Sequence, residues 1–168
     1  MTRTRLVPLL GLAALLLLAG CAGPSYEFHP IPGKTGVVQQ GYAFPPTDAP
    51  AIVQAAIAAG NRISGMPYRR GGGHANEYDT GYDCSGSVSY VLREIGQLHD
   101  SMPSGGFRSF GKPGEGKWIS IYAKNGHVFM VVAGMRFDTG YNDVREGPRW
   151  STRPRPANGC VIRHPDGL

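Results

Sequence analysis

Three residues in this chain carry side chains that could do nucleophilic chemistry together: Cys84, His127 and Asp138. Cys84 lies in the stretch YDCSGSVSYVLREIG, residues 82–96. Asp83 is a suitable helix N-cap, because its carboxylate can accept the orphan amide protons of a first turn. Gly96 is a suitable residue just past the helix end. Between them Val88, Val91, Leu92 and Ile95 fall at i, i+3, i+4 and i+7, one apolar stripe of an amphipathic helix. Cys84 is thereby placed at a helix N-terminus, where the macrodipole and free amides favour the thiolate, the nucleophilic form. Ser85 and Gly86 are small, so a substrate could come close to the sulfur. A buried structural cysteine in an ordinary helix is the competing reading of this stretch.

A cysteine nucleophile needs a base. The periodicity changes to two at KWISIYA (117–123) and HVFMVVA (127–133), with Asn125-Gly126 between them as a two-residue hairpin turn. That register opposes Lys124 to His127, Tyr122 to Phe129 and Ser120 to Val131. One face carries Ile119, Ile121, Ala123, Val128, Met130 and Val132; the other is mixed and begins with His127. A second hairpin, turning at Ala133-Gly134 into MRFDT (135–139), opposes Phe129 to Asp138. Asp138 then lies one diagonal step from His127, within reach of a carboxylate–imidazole contact. Cysteine, histidine and a polar third residue make a nucleophile, a base and a group that orients the base.

Other elements must hold these in place. Asp48 caps an expected helix over 49–61, with Pro50 in its first turn. Residues 65–82 form a glycine-rich loop whose spacing does not fit a phosphate-binding loop. Close backbone approach to a site is its better explanation. Residues 97–116 and 140–158 show no period and read as connections, and CVIRH (160–164) as a last strand.

The first twenty residues stand apart. Arg3 and Arg5 precede an apolar run over 6–19, too short for a membrane span of roughly 20 residues, so it reads as an export signal. It ends in Leu18-Ala19-Gly20-Cys21, which resembles a bacterial lipobox and implies cleavage before Cys21 and lipidation of that residue. A plain signal peptide ending at a cysteine is the alternative. Ala22 after Cys21 suggests outer-membrane sorting if the cell has two membranes. Residues 21–47, rich in Pro and Gly, read as a tether, though Tyr26, Phe28, Tyr42 and Phe44 are more aromatic than a linker needs, so part of the segment could pack back onto the domain. The domain is expected over 48–168.

The 168 residues include 25 Gly and 14 Pro, and the formal charge of +5 falls to +3 once Arg3 and Arg5 leave with the signal. A modestly basic surface suits a polyanionic partner such as cell wall or anionic lipid. No nucleic-acid motif is present. Beyond Cys21 the cysteines are Cys84 and Cys160. A disulfide between them would remove the nucleophile. A metal site is not expected: Cys160 and His164, four apart on a strand, lie roughly 13 Å apart, and no zinc-type spacing exists.

Taken together, Pro67-Tyr68, Gly71-Gly72-Gly73, Asp83-Cys84-Ser85-Gly86 with Val88, Tyr90 and Val91, and Gly126-His127-Val128 resemble the NlpC-type peptidoglycan cysteine peptidases. The resemblance spans about residues 61–138. It implies a papain-like α+β fold with the nucleophile helix packed on an antiparallel sheet. It implies Cys84 as nucleophile, His127 as base, and Tyr68 beside the nucleophile, helping to bind substrate or the oxyanion, with Ser85 in the substrate site. The substrate would be the stem peptide of peptidoglycan, cut between D-γ-glutamate and a diamino acid without a cofactor. The chain departs from the family in three places. Gly116-Lys117-Trp118-Ile119-Ser120-Ile121 stands where the family carries Pro-Gly-Asp-Leu, and Arg69-Arg70 stands where a tryptophan is common. Asp138 stands where the third residue is often histidine; Asp138 is preferred in that role and His164 is the runner-up.

Overall fold

The computed structural model describes residues 24–75, 78–140 and 146–168. The expected export signal and Cys21 lie outside them. The fold is α+β. Among the described residues, its centre is a six-stranded antiparallel sheet in the order β4-β10-β5-β6-β7-β8. These strands are Lys112–Pro113 (β4), Ile119–Lys124 (β5), His127–Val132 (β6), Met135–Asp138 (β7), Arg149–Ser151 (β8) and Val161–His164 (β10). Two helices, Ala51–Ile63 (α1) and Cys84–Glu94 (α2), pack together, and α2 lies against β6.

The expected hairpin registers are the observed ones. Lys124 pairs with His127, Tyr122 with Phe129 and Ser120 with Val131. Gly126 takes positive φ (86°) while Asn125 does not, so the first turn is of type II geometry. At the second turn both Ala133 (47°) and Gly134 (76°) are left-handed, as a type I′ hairpin requires. Met130 pairs with Phe137 and Val131 with Arg136, which brings Asp138 opposite Phe129. The apolar face of this hairpin, with Ile119, Ile121, Val128, Met130 and Val132, forms one core with Val53, Ile57, Val88, Val91 and Leu92 of the helices. Burial of such side chains contributes roughly 1.5–3 kcal/mol each.

Helix α1 begins and ends two residues later than expected. Asp48 does not cap it; Pro50 occupies the cap position without a side-chain bond. Gly60 and Asn61 lie inside the helix instead of ending it. Gly60 is needed where the Trp150 indole crosses, since a Cβ there would come within 2.4 Å of the ring. Asn61 uses its amide to bond both the N–H and the carbonyl of Ala43, at 2.9 and 2.8 Å.

The segment expected to be a tether is, from Pro24 onward, part of the folded domain. Ser25–Tyr26 (β1) pairs with Arg155–Pro156 (β9), and Val37–Gln39 (β2) pairs with Tyr42–Phe44 (β3). Tyr26 and Ala43 are buried. Tyr26 joins Tyr122, Phe129 and Ala157 in a second small core on the mixed face of the sheet. Of the four aromatics in this segment, Tyr26 and Phe28 cover a face that would otherwise expose stacked rings, Tyr122 and Phe129 lying 4.7 Å apart and nearly parallel, whereas Tyr42 and Phe44 remain half exposed. Strands β8 and β9 and the 3-10 turn Gly106–Ser109 arise in regions whose sequence shows no period.

Candidate active site

The turn that presents Cys84 is built from contiguous sequence. Asp83 is extended (φ −91°, ψ −176°) and its Oδ1 accepts from the Gly86 amide at 2.7 Å, the expected cap. Its Oδ2 accepts from the Gly71 amide at 2.9 Å. Asp83 therefore ties the glycine loop to the helix start. Gly72 and Gly86 meet backbone to backbone: a Cβ on Gly86 would come within 1.9 Å of the Gly72 carbonyl oxygen. At the other end, Gly96 (φ 68°) donates to the Arg93 carbonyl and Gln97 to that of Leu92, a Schellman motif.

This geometry changes the roles of two neighbours of Cys84. Gly86 is small where the loop needs the space. Ser85, expected in the substrate site, is buried, and its hydroxyl donates to Asp83 Oδ1 at 3.0 Å. His74 Nε2 lies 3.1 Å from the same two groups. Ser85 and His74 complete the cap. The other serines of α2 are buried and satisfied: Ser87 donates to the Cys84 carbonyl within the helix and Ser89 accepts from the Met102 amide of the following loop.

Tyr68 is brought beside Cys84 by a short parallel bridge to Tyr82. Tyr82 donates to the Pro67 carbonyl (3.0 Å) and Arg69 to that of Tyr82 (3.2 Å). The Tyr68 phenol is held above its ordinary pKa by burial, then by the charges of Cys84 and Asp83, against an opposing effect of Arg70.

The sheet supplies the base. His127 is about one-fifth exposed, and its Nε2 lies 2.9 Å from Asp138 Oδ1. Cys84 lies near enough to raise the proton affinity of this imidazole. Since Asp138 engages Nε2, Nδ1 is the nitrogen left for the sulfur. Burial opposes a charge on this imidazole, but the Asp138 hydrogen bond and the Cys84 contact outweigh it and push its pKa up to about 9. Asp138 is itself held from three further sides. The Thr139 amide donates to its Oδ1 at 2.8 Å, Arg136 Nη1 bonds its Oδ2, and Arg155 Nε lies 3.2 Å from that Oδ2. Arg136 is fully buried and lies against the Tyr26 ring.

Cys84, His127 and Asp138 are thus in one connected set, with Tyr68 at its edge. His164 is not: its Nδ1 meets the Gly114 carbonyl at 3.0 Å, on the far side of β5. Cys84 and Cys160 are both free thiols, so no disulfide blocks the candidate nucleophile. Cys160 is half-buried, and burial raises its pKa. Sequence reasoning missed Arg136 and Arg155. Arg136 had a signal, since it stands two residues before Asp138 on the same strand and must share its face. Arg155 had none.

Among the described residues no cluster of three His, Cys, Asp or Glu side chains is placed to hold a metal ion. A groove of about 560 Å³ on the outer face of the sheet, lined by Tyr26, Lys34, Glu115, Trp118 and Tyr122, includes neither Cys84 nor His127. Chemistry rather than cavity size therefore selects the site. Comparison with protein-family models and with curated proteins finds no match for this chain.

Proposed function

We propose that this protein is a cysteine hydrolase of the bacterial cell wall, with a papain-like arrangement of the NlpC type. It would be exported and held at a membrane through lipidated Cys21. The observation that carries the reading is the connected set Cys84–His127–Asp138, with the thiol at a capped helix start and the imidazole fixed by a carboxylate. In this mechanism His127 takes the Cys84 proton, and the sulfur attacks a peptide carbonyl. The Cys84 amide, one of the helix's orphan donors, faces the oxyanion as it forms. Tyr68 borders the acyl position. His127 returns its proton to the leaving amine, and water then releases the acyl group from sulfur. Asp138 keeps Nε2–H donating to the carboxylate, so Nδ1 stays aimed at sulfur. The mildly basic chain and the export signal support a peptidoglycan stem peptide as substrate, with the D-γ-glutamyl–diamino acid bond as the one cut.

The test is digestion of defined muropeptides, with products read by mass. Wild-type protein should release fragments cut at that bond, and Cys84→Ala should release none while keeping its melting temperature. Full turnover by Cys84→Ala would overturn the proposal. Products cut between sugar and peptide, or transferred to another amine, would keep the thiol chemistry and change the substrate bond.

A further inference from the structure

Arg155 touches both partners of the base pair. Its Nη2 lies 3.1 Å from His127 Nε2, and its Nε lies 3.2 Å from Asp138 Oδ2. Asp138 Oδ1 approaches the same Nε2 at 2.9 Å. A ring nitrogen offers one in-plane position: with a proton it donates, without one it accepts. Nε2 therefore cannot serve both neighbours at once. The carboxylate favours a proton on Nε2, and the guanidinium favours its absence.

The backbone of Arg155 is placed by the amino-terminal strand. Strand β9 is two residues long and ends in Pro156, and its ladder partner is β1, which pairs Tyr26 with Arg155 and Ser25 with Pro156. The Ala157 amide adds a bond to the Pro24 carbonyl at 2.9 Å. The Tyr26 ring is buried under the mixed face of the sheet, and its hydroxyl donates to the Gly134 carbonyl at 2.7 Å, at the turn between His127's strand and Asp138's.

We propose that Arg155 is a positioning residue that sets the proton on His127, and that strand β1 delivers it to the site. The amino-terminal segment next to the export signal is then a working part of the active site, not a spacer. This inference rests on the Cys84–His127 reading.

The sign of its effect follows from the charges around His127. Cys84 faces it from α2, Asp138 from β7, Arg155 from β9 and Lys124 across the hairpin; Arg136 stands behind Asp138, and Cys160 lies near Lys124, Arg155 and Asp138. Removing Arg155 takes a positive charge from beside the imidazolium. It also leaves Asp138 one fewer cation to share. Both changes raise the proton affinity of His127.

The experiment is an NMR titration of the His127 imidazole in the full chain in detergent, its resonance assigned by its loss in His127→Gln. Arg155→Met should move the midpoint up by about one pH unit, and Arg155→Lys should move it less. Tyr26→Phe, which removes the hydroxyl that bonds Gly134 and keeps the ring, should move it in the same direction by a smaller amount. An unchanged midpoint in Arg155→Met would overturn the role of Arg155. A shift in Arg155→Met with none in Tyr26→Phe or in the more disruptive Tyr26→Leu would overturn delivery by β1. A His127 midpoint indifferent to Cys84→Ala would instead count against the Cys84–His127 reading itself.

Discussion

The two halves of the candidate site are built in opposite ways. The nucleophile half is local: residues 65–86 contain the loop, the cap, Cys84 and most of the bonds that fix them. The base half is assembled from distant segments, with His127 on β6, Arg136 and Asp138 on β7, Arg155 on β9 and Tyr26 on β1. The first half is held by backbone amides and close backbone packing. The second is held by charge, one carboxylate facing an imidazole and two guanidiniums. A local half tolerates changes elsewhere in the chain, whereas a charge-built half depends on every segment that brings a charge.

Breaking the base half at its centre should have the largest effect. Asp138→Ala removes the carboxylate that both guanidiniums face. It should cost about 3–5 kcal/mol of stability, as loss of one partner of a buried ion pair does, and turnover should fall at least ~100-fold through loss of imidazole orientation. Chemical denaturation and muropeptide kinetics check the two parts. An unchanged denaturation midpoint would show that the charges are not coupled as the distances suggest.

Breaking the nucleophile half calls for a steric change instead. Gly86→Ala places a methyl against the Gly72 carbonyl oxygen, with backbone on both sides and no flexible chain to yield. A loss of about 3 kcal/mol is expected, together with slower thiol reactivity because the loop and the cap part. The comparison sharpens if salt is varied: the charges of the base half are buried, and salt screens mainly exposed charge, so the loss in Asp138→Ala should persist in 1 M salt as fully as the steric loss in Gly86→Ala.

The smallest effect is on pH dependence. The His127 pKa stands at about 9 in the folded protein, above the ordinary value of about 6.5 for an unfolded chain. A raised pKa means that the folded state binds this proton more tightly. Its stabilisation is complete below about pH 6.5 and is lost as pH rises through about 9. Melting temperature measured from pH 6 to 9.5 should therefore fall more steeply for the wild type than for His127→Gln. Parallel curves would remove His127 as the titrating group.

Much of this was legible in the residues. Asp83 as cap, Gly96 as stop, both hairpin registers and the placing of Asp138 beside His127 all follow from patterns spanning fewer than about fifteen residues. The packing roles of Ser85 and Gly86 were not legible, because sequence shows that a residue is small and not what fills the space around it. How the tether segment packs on the domain was not legible, because Pro and Gly content reports turns, while pairing of β1 with β9 depends on residues about 130 positions away.

By itself the sequence determined the chemistry on offer: a thiol at a helix start, an imidazole on a strand, a carboxylate on the next. Local propensity and period-two alternation act over single turns and hairpins, so they can be read without a fold. Only the tertiary structure decided that Asp138 is shared among His127, Arg136 and Arg155, and that residues near the amino terminus help to bring the last of these in. Charges interact through space with no regard for separation along the chain. No spacing rule could have told Arg155 from the other arginines around it.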